Sequence, residues 1–251
     1  MIALVANTIR EALRRRSLQV TLVISALFML GVAILGHHWA QEHSRAMARF
    51  STWAGMRYIS FFAALLTTFA TMSLVPAELE TGTVSMLITK PLGRCRFMLT
   101  KFVAAELIVA LNLLVLALVT FATVLWWGVE FDLTLLRNLG ALFLALSTLT
   151  AAIMAFSVIT TAPSAAILGL LFYGLAKWPG IVTQIAAHSP APLSWLLAAV
   201  HALLPDLGKL NFEAPLLQVP PQEMLQGALS ALLSIAIWLA LGIWAFNRKQ
   251  L

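Results

Sequence analysis

Glu106 and Lys177 are charged residues that lie within or beside long apolar stretches of this 251-residue chain. A charge at the centre of a lipid bilayer costs about 3 kcal/mol or more, so such a residue is by default a functional candidate. Glu106 follows Lys101 by about one helical turn, a depth at which it is either solvated or paired with a nearby base. Lys177 lies about 20 Å along its helix if that helix begins at Ser164, and its side chain can snorkel to the headgroups. Both are candidates for a translocation path, with solvation and snorkelling as the alternatives.

The histidines are the residues that could hold a metal ion. All five fall on one predicted side of the membrane: His37, His38, His43, His188 and His201. With Glu42 they could bind copper or zinc, which imidazole ligands suit. However, His37 and His38 are adjacent in the chain and cannot point the same way. We therefore predict no metal site.

Three serines, Ser147, Ser157 and Ser164, lie in or beside the apolar runs and could act as nucleophiles. An intramembrane hydrolase needs a serine with a histidine base within reach. No histidine lies within a predicted span, and paired aspartates are missing. The sequence therefore predicts no catalytic residues, while an intramembrane enzyme and a structural membrane anchor stay open as alternative functions.

The composition explains why these residues stand out. Apolar residues make up 61% of the chain and charged residues only 10%, which is outside the usage of soluble domains. The chain is therefore an integral membrane protein with room for about six spans of roughly 20 residues each. The single cysteine, Cys95, excludes an internal disulfide framework, and no signal-peptide cleavage site is recognisable. We expect the first span to remain as its own anchor.

The apolar runs predict an all-α membrane protein that forms a single transmembrane domain over residues 1–251. The uncharged run 138–176 is twice as long as one span, and the sequence TTAPS at 160–164 predicts a turn in its middle. The six predicted spans are 18–36, 58–77, 102–128, 138–161, 164–187 and 224–246.

Two segments outside the spans are also apolar on one side. Residues 1–17 place apolar side chains on one helical face and arginines on the other, which predicts an amphipathic helix on the membrane surface. A simple positive anchor is the alternative. Residues 188–222 are too apolar for a free loop and too often broken by proline for a span, so we expect re-entrant helices in the outer leaflet.

The basic residues set the predicted orientation. Alternating spans place the N-terminus, the loop 78–101, the turn near Pro163 and the C-terminus on one face that is rich in Lys and Arg. By the positive-inside rule this face is cytoplasmic, so both termini lie in the cytoplasm and the chain lies in the inner membrane. The net charge of +6 then reflects topology and anionic lipid, and we expect no nucleic-acid partner.

The segment VPAELETGTVSMLITKPLGRCRFMLTK at 75–101 is crowded with charge and forms the one sizeable cytoplasmic loop that we predict. Its centre predicts a short helix that ends before Pro91. Val84, Leu87 and Ile88 would form an apolar stripe on this helix with no bilayer to face. Such a stripe suits a groove on a partner protein.

The order of residues in this loop resembles that of the permease subunits of ABC transporters of the type-2 exporter class, especially the short six-span permeases without a fused ATPase. Thr100 stands where the family usually has Gly. The N-terminal surface helix and LLPDLGKLNF, before the last span, also look like this family. The matching loop residues are Glu78 or Glu80, Gly82, Thr83, Met86, Leu87, Pro91, Arg94, Phe97 and Lys101.

The resemblance implies an ATP-driven exporter in which this chain pairs with itself or a related permease on two ABC ATP-binding subunits. The sequence contains no glycine-rich phosphate loop ending in Gly-Lys-Ser/Thr, so this chain is expected to bind no cofactor, with ATP and Mg held by the partner subunit. The loop helix would couple the two subunits. The implied coupling residues are Glu78, Glu80, Gly82, Thr83, Val84, Leu87, Ile88, Pro91, Arg94 and Lys101.

Overall fold

The computed structural model describes residues 19, 23–28, 30–31, 34, 44–72, 74, 76, 94–126, 133–190, 194–195, 204–210 and 220–248. All regular structure in these residues is helical. The helices are α1 (Ser44–Thr71), α2 (Arg94–Trp126), α3 (Leu133–Ile159), α4 (Ala162–Lys177), α5 (Pro179–Ala187) and α6 (Pro221–Arg248), with a 3₁₀ turn at Leu207–Leu210.

Three described segments are long and apolar enough to cross a membrane: Cys95–Ala122, Leu136–Ile159 and Pro221–Arg248. They lie in α2, α3 and α6. The helix α4 is also apolar, but its 16 residues extend only about 24 Å, less than the roughly 30 Å of a hydrocarbon core. The chain is thus a helical membrane protein, and the total of six spans stays a prediction.

The helix α3 lies at the centre of the bundle. It contacts α1, α2, α4, α6 and the 3₁₀ turn. Of the apolar stretch of α3, 78% is buried, whereas only 22% of the apolar stretch of α6 is buried. Leu142, Leu146, Leu149 and Ile153 form a fully buried column along α3. The other helices therefore pack around α3, and α6 keeps most of its surface for lipid or another chain.

Small residues allow α4 and α6 to approach α3 closely. A Cβ atom added at Gly169 of α4 would overlap the side chain of Ile153, and one added at Gly242 of α6 would lie 3.3 Å from the Cα of Ala155. Without a hydrophobic effect between helices in lipid, such close van der Waals contact is a main source of association. These glycines thus fix the distances of both helices from α3.

The junction between α3 and α4 falls at Thr160 and Thr161, within the stretch where the sequence predicts a turn. The hydroxyl of Thr160 donates to the carbonyl of Phe156 (2.8 Å) at the end of α3. Pro163 then stands in the first turn of α4, where its missing N–H removes no helical hydrogen bond. The long apolar run is thereby divided into two helices.

The largest differences from the predicted spans are at α1, at α2 and at the break between α4 and α5. The helix α1 begins at Ser44, because good helix formers continue the helix beyond the apolar run that starts at residue 58. The helix α2 begins at Arg94 instead of 102. The predicted span 164–187 is divided at Trp178, because Pro179 disfavours helical backbone in the preceding residue; α4 ends at Lys177 and α5 follows.

Several predicted elements lie wholly or largely outside the described residues. These are the surface helix at 1–17, the coupling loop before Arg94 and most of the re-entrant region at 188–222. The 3₁₀ turn at Leu207–Leu210 is the main described part of that region. Leu207 and Leu210 are both buried, and the turn contacts α3, α4 and α6. This part of the region therefore packs against the helix bundle.

Candidate functional site

Of the predicted coupling residues, only Arg94 and Lys101 lie within the described residues, and both belong to α2 instead of a loop. Lys101 is only 1% exposed, and its Nζ atom lies 5.9 Å from the centre of the Phe97 ring. Phe97 stacks in turn on Phe246 of α6, with ring centres 5.7 Å apart. The start of α2 is therefore packed firmly against the end of α6. The other coupling residues, Glu78, Glu80, Gly82, Thr83, Val84, Leu87, Ile88 and Pro91, lie outside the described residues.

Glu106 lies deep within α2. Because that helix begins at Arg94, Glu106 is about 18 Å along its axis from the start, and it still lies about one turn beyond Lys101. The hydroxyl of Ser147 donates to its Oε2 atom at 2.6 Å, and Ser147 lies near the middle of α3. The Oε1 atom is buried, and the buried hydroxyl of Thr150, also on α3, lies beside the carboxyl group as well. Two hydroxyl groups of α3 thus face the carboxyl group of Glu106.

The hydrogen bonds around Ser147 accommodate two charge states of Glu106. Ser147 has one hydroxyl hydrogen but two acceptors within reach, Glu106 Oε2 and the carbonyl of Phe143 at 3.0 Å. An ionised Glu106 takes that hydrogen. A protonated Glu106 can donate its own hydrogen to Ser147 and leave the hydroxyl to Phe143. The pair can therefore lose or gain a proton without moving its heavy atoms.

Lys177 is the last residue of α4, and its ammonium group contacts α1 and the residue that follows α4. Its Nζ atom donates to Ser60 Oγ of α1 at 3.3 Å and lies 5.0 Å from the centre of the Trp178 ring. A cation is also favoured at a helix C-terminus, where the last carbonyl groups are unpaired. These contacts join α4 to α1. They support a role for Lys177 in holding the bundle together.

The comparison with known families decides the identity of this bundle. The family model of the ABC-2 family transporter proteins matches residues 2–251. This chain belongs to the ABC-2 transporter family. It is accordingly a membrane transport component, and the resemblance seen in the sequence is confirmed. Comparison with curated proteins gives no match.

In the described part of this ABC-2 permease, no three His, Cys, Asp or Glu residues are close enough to hold a metal ion. His188 is the one histidine that the structure describes, and its Nδ1 atom lies 2.9 Å from the carbonyl of Gln184. His37, His38, His43 and His201 lie outside the described residues. The metal alternative thus gains no geometric support from the residues that are described.

The candidate nucleophiles of the permease make local hydrogen bonds. Ser157 donates to the carbonyl of Met154 (2.8 Å), and Ser164 lies 3.0 Å from the hydroxyl of Thr161. Neither pairs with a histidine among the described residues, and Ser147 bonds to a carboxyl group. A serine nucleophile requires a base within hydrogen-bond reach. This geometry suits a transport component, which the ABC-2 family is, more than a hydrolase.

Other polar residues in the permease were missed by the sequence analysis. Asn112 of α2 and Asn138 of α3 are 2% and 1% exposed, and their amide groups have no hydrogen-bond partner among the described residues. Ser147 was noted only as a candidate nucleophile. The sequence does contain a signal for them, because polar residues occur within two successive apolar runs. Buried polar groups in membrane proteins commonly face the bundle interior or a cavity.

Proposed function

We propose that this ABC-2 permease is the transmembrane subunit of an ATP-driven exporter whose ATP-binding subunit is a separate chain. The observation that carries the proposal is the family match over residues 2–251. The sequence contains no phosphate loop, so ATP and Mg would be bound by the partner. The direction of transport rests on the resemblance to type-2 exporters.

The proposed assembly is a dimer of this chain, or of this chain with a related permease, on two ATP-binding subunits. Each permease would cross the inner membrane six times with both termini in the cytoplasm. The basic clusters at 10–16 and 248–249 support this orientation. The largely lipid-exposed surface of α6 leaves room for contact with another chain.

The proposed coupling element is the segment 78–101, whose last residues, from Arg94 onward, form the start of α2. Its apolar stripe at Val84, Leu87 and Ile88 would dock on the ATP-binding subunit and move with it. Since Phe97 of α2 stacks on Phe246 of α6, a force applied at this end of α2 would displace both helices together. That movement would reach Glu106 through the same continuous helix. ATP binding could thereby change the environment of Glu106, which we propose lies on the translocation path.

The test is to co-express the permease with the ATP-binding subunit encoded beside it, purify the complex and measure ATP turnover in nanodiscs. We expect a stable complex. Leu87→Asp should abolish capture of the ATPase, because it places a charge in an apolar groove at a cost of several kcal/mol. Glu80→Ala, a change at a more solvated position, is the matched control and should do less. Absence of a complex with the native chain at normal membrane expression contradicts the proposed function.

A further inference from the structure

One end of the helix bundle carries exposed basic residues on two neighbouring helices. The stacking of Phe97 on Phe246, with ring centres 5.7 Å apart, places the start of α2 beside the end of α6. Arg96 in the first turn of α2 and Arg248 in the last turn of α6 are both exposed. The two guanidinium groups therefore lie at the same end of the bundle.

The described part of the chain places no acidic side chain at this end. Its acidic residues are Glu106, Asp206 and Glu223. Glu106 lies about 18 Å along α2, and Glu223 is in the first turn of α6, at the far end of that helix. Asp206 pairs with Lys209, which packs on Gly227 near the same far end. The end with Arg96 and Arg248 is therefore positively charged and suits an anionic partner.

Each of the two arginines ends a row of exposed apolar side chains. The side chains of both rows are between 39% and 54% exposed, and they follow helical spacing. Because both helices can cross a membrane, these rows face lipid and the arginines lie where the hydrocarbon meets the headgroups. The rows are Leu99 and Val103 after Arg96 on α2, and Leu241 and Trp244 before Arg248 on α6.

The guanidinium group of Arg248 is held in place by the ring of Trp244. Its central carbon lies 4.1 Å from the centre of that ring. Stacking on an aromatic face fixes the plane of a guanidinium group and leaves the N–H groups at its edge to donate to an oxygen acceptor. A planar pair of donors matches the oxygens of a phosphate. Arg248 is thus arranged to bind a phosphate at the membrane interface.

We propose that this end of α2 and α6 binds an anionic phospholipid. Its phosphate accepts hydrogen bonds from Arg248, Arg96 adds to the positive potential, and its acyl chains lie along the exposed apolar rows. A zwitterionic lipid binds less tightly, because its own cation is repelled by the two arginines. The apolar rows below the charges favour a lipid over the acidic surface of a protein. The proposal does not rest on the proposed function, since the binding requires neither ATP nor a partner subunit.

The experiment measures lipid binding to the full chain alone, in a non-ionic detergent, by native mass spectrometry. Dioleoyl phosphatidylglycerol and dioleoyl phosphatidylcholine are titrated separately, so that the two lipids differ only in the headgroup. We expect the first phosphatidylglycerol molecule to bind roughly tenfold more tightly than phosphatidylcholine, because its phosphate makes charge-assisted hydrogen bonds without a repelled cation beside it. Equal affinities for the two lipids would overturn the proposal.

Three substitutions to Gln separate this site from a general attraction of charge. Arg248→Gln should abolish the preference for phosphatidylglycerol, and Arg96→Gln should reduce it by less. Arg137→Gln is the matched control, because Arg137 is an exposed arginine near the start of α3, at the opposite end of the bundle. It removes the same charge and should leave the preference unchanged.

Two further variants test how Arg248 is held. Arg248→Lys keeps the charge but loses the planar pair of donors, so part of the preference should be lost. Trp244→Leu keeps an apolar side chain but removes the ring on which Arg248 stacks, and it should have a similar effect. A full preference in both variants would show that charge alone attracts the lipid, and the proposed arrangement would be wrong.

A preference that survives Arg248→Gln, or one that Arg137→Gln reduces equally, would refute the site. The ATP-binding subunit is the competing occupant. Its capture by the native chain and by Arg248→Gln is compared in nanodiscs of pure phosphatidylcholine, and loss of capture in the variant would show that the surface binds that protein instead. Failure of the native chain to capture any ATPase would contradict the proposed function alone and leave the lipid-binding results unchanged.

Discussion

Glu106 and Lys177 are both charged residues within apolar helices, yet the structure surrounds them differently. Lys177 ends a short helix, donates to Ser60 and lies beside the Trp178 ring. Glu106 lies about three turns into a long helix, where its neighbours are the hydroxyl groups of Ser147 and Thr150 on α3. The charge of Lys177 is thus held at a helix end, whereas the carboxyl group of Glu106 is buried between two long helices.

The role of a charged residue in a membrane helix therefore depends on the groups that contact it. A buried polar group costs free energy unless neighbouring groups hydrogen-bond to it, and a charged group inside an apolar helix is by default a functional candidate. A charge that joins two helices can instead be retained for stability. The contacts of Lys177 join α4 to α1, and the place of Glu106 on a translocation path stays a prediction.

The largest expected effect concerns the packing that positions Lys177. Gly169→Leu should destabilise the permease by about 3 kcal/mol, because the new side chain overlaps Ile153 and forces α4 away from α3. Thermal unfolding in detergent measures this change. Gly174→Leu, in the same helix but facing open space, should have almost no effect. Equal stability of the two variants would show that α4 is not fixed by this contact.

The second effect concerns the partner of Glu106. Ser147→Ala removes the donor to Oε2 and should lower stability by about 2 kcal/mol, because a buried carboxyl oxygen then loses its hydrogen bond. Ser157→Ala is the control, since this equally buried hydroxyl bonds only to its own helix. In a Glu106→Gln background the cost of Ser147→Ala should be smaller. An identical cost in both backgrounds would contradict the hydrogen bond.

The smallest effect concerns the partner of Lys177. Ser60→Ala should cost about 0.5 kcal/mol, because the hydrogen bond to Lys177 Nζ is long at 3.3 Å and the ring of Trp178 remains. The same change in a Lys177→Met background should cost nothing. Thermal unfolding of the four proteins in this cycle gives the coupling energy, and a coupling of zero would show that Ser60 does not stabilise Lys177.

Parts of this structure follow from the sequence and parts do not. The helical membrane class follows from composition, and the junction after α3 follows from Pro163. Pro179 also indicates the break at Trp178, but the apolar residues around it favour one continuous span. The pairing of Glu106 with Ser147 could not be predicted, because it depends on the register of two antiparallel helices. That register is set by many small packing contacts.

The most direct test neutralises each charge with a side chain of similar shape and compares the free energies of unfolding of Glu106→Gln and Lys177→Met in nanodiscs without added ligand. We expect Glu106→Gln to be at least as stable as the native chain, because a neutral amide costs less to bury than a carboxylate and still accepts from Ser147. Lys177→Met should be less stable by about 1 kcal/mol, since it loses the bond to Ser60 and the charge at the helix C-terminus. The opposite order, with Glu106→Gln destabilised and Lys177→Met unaffected, would contradict the division of roles between the two residues.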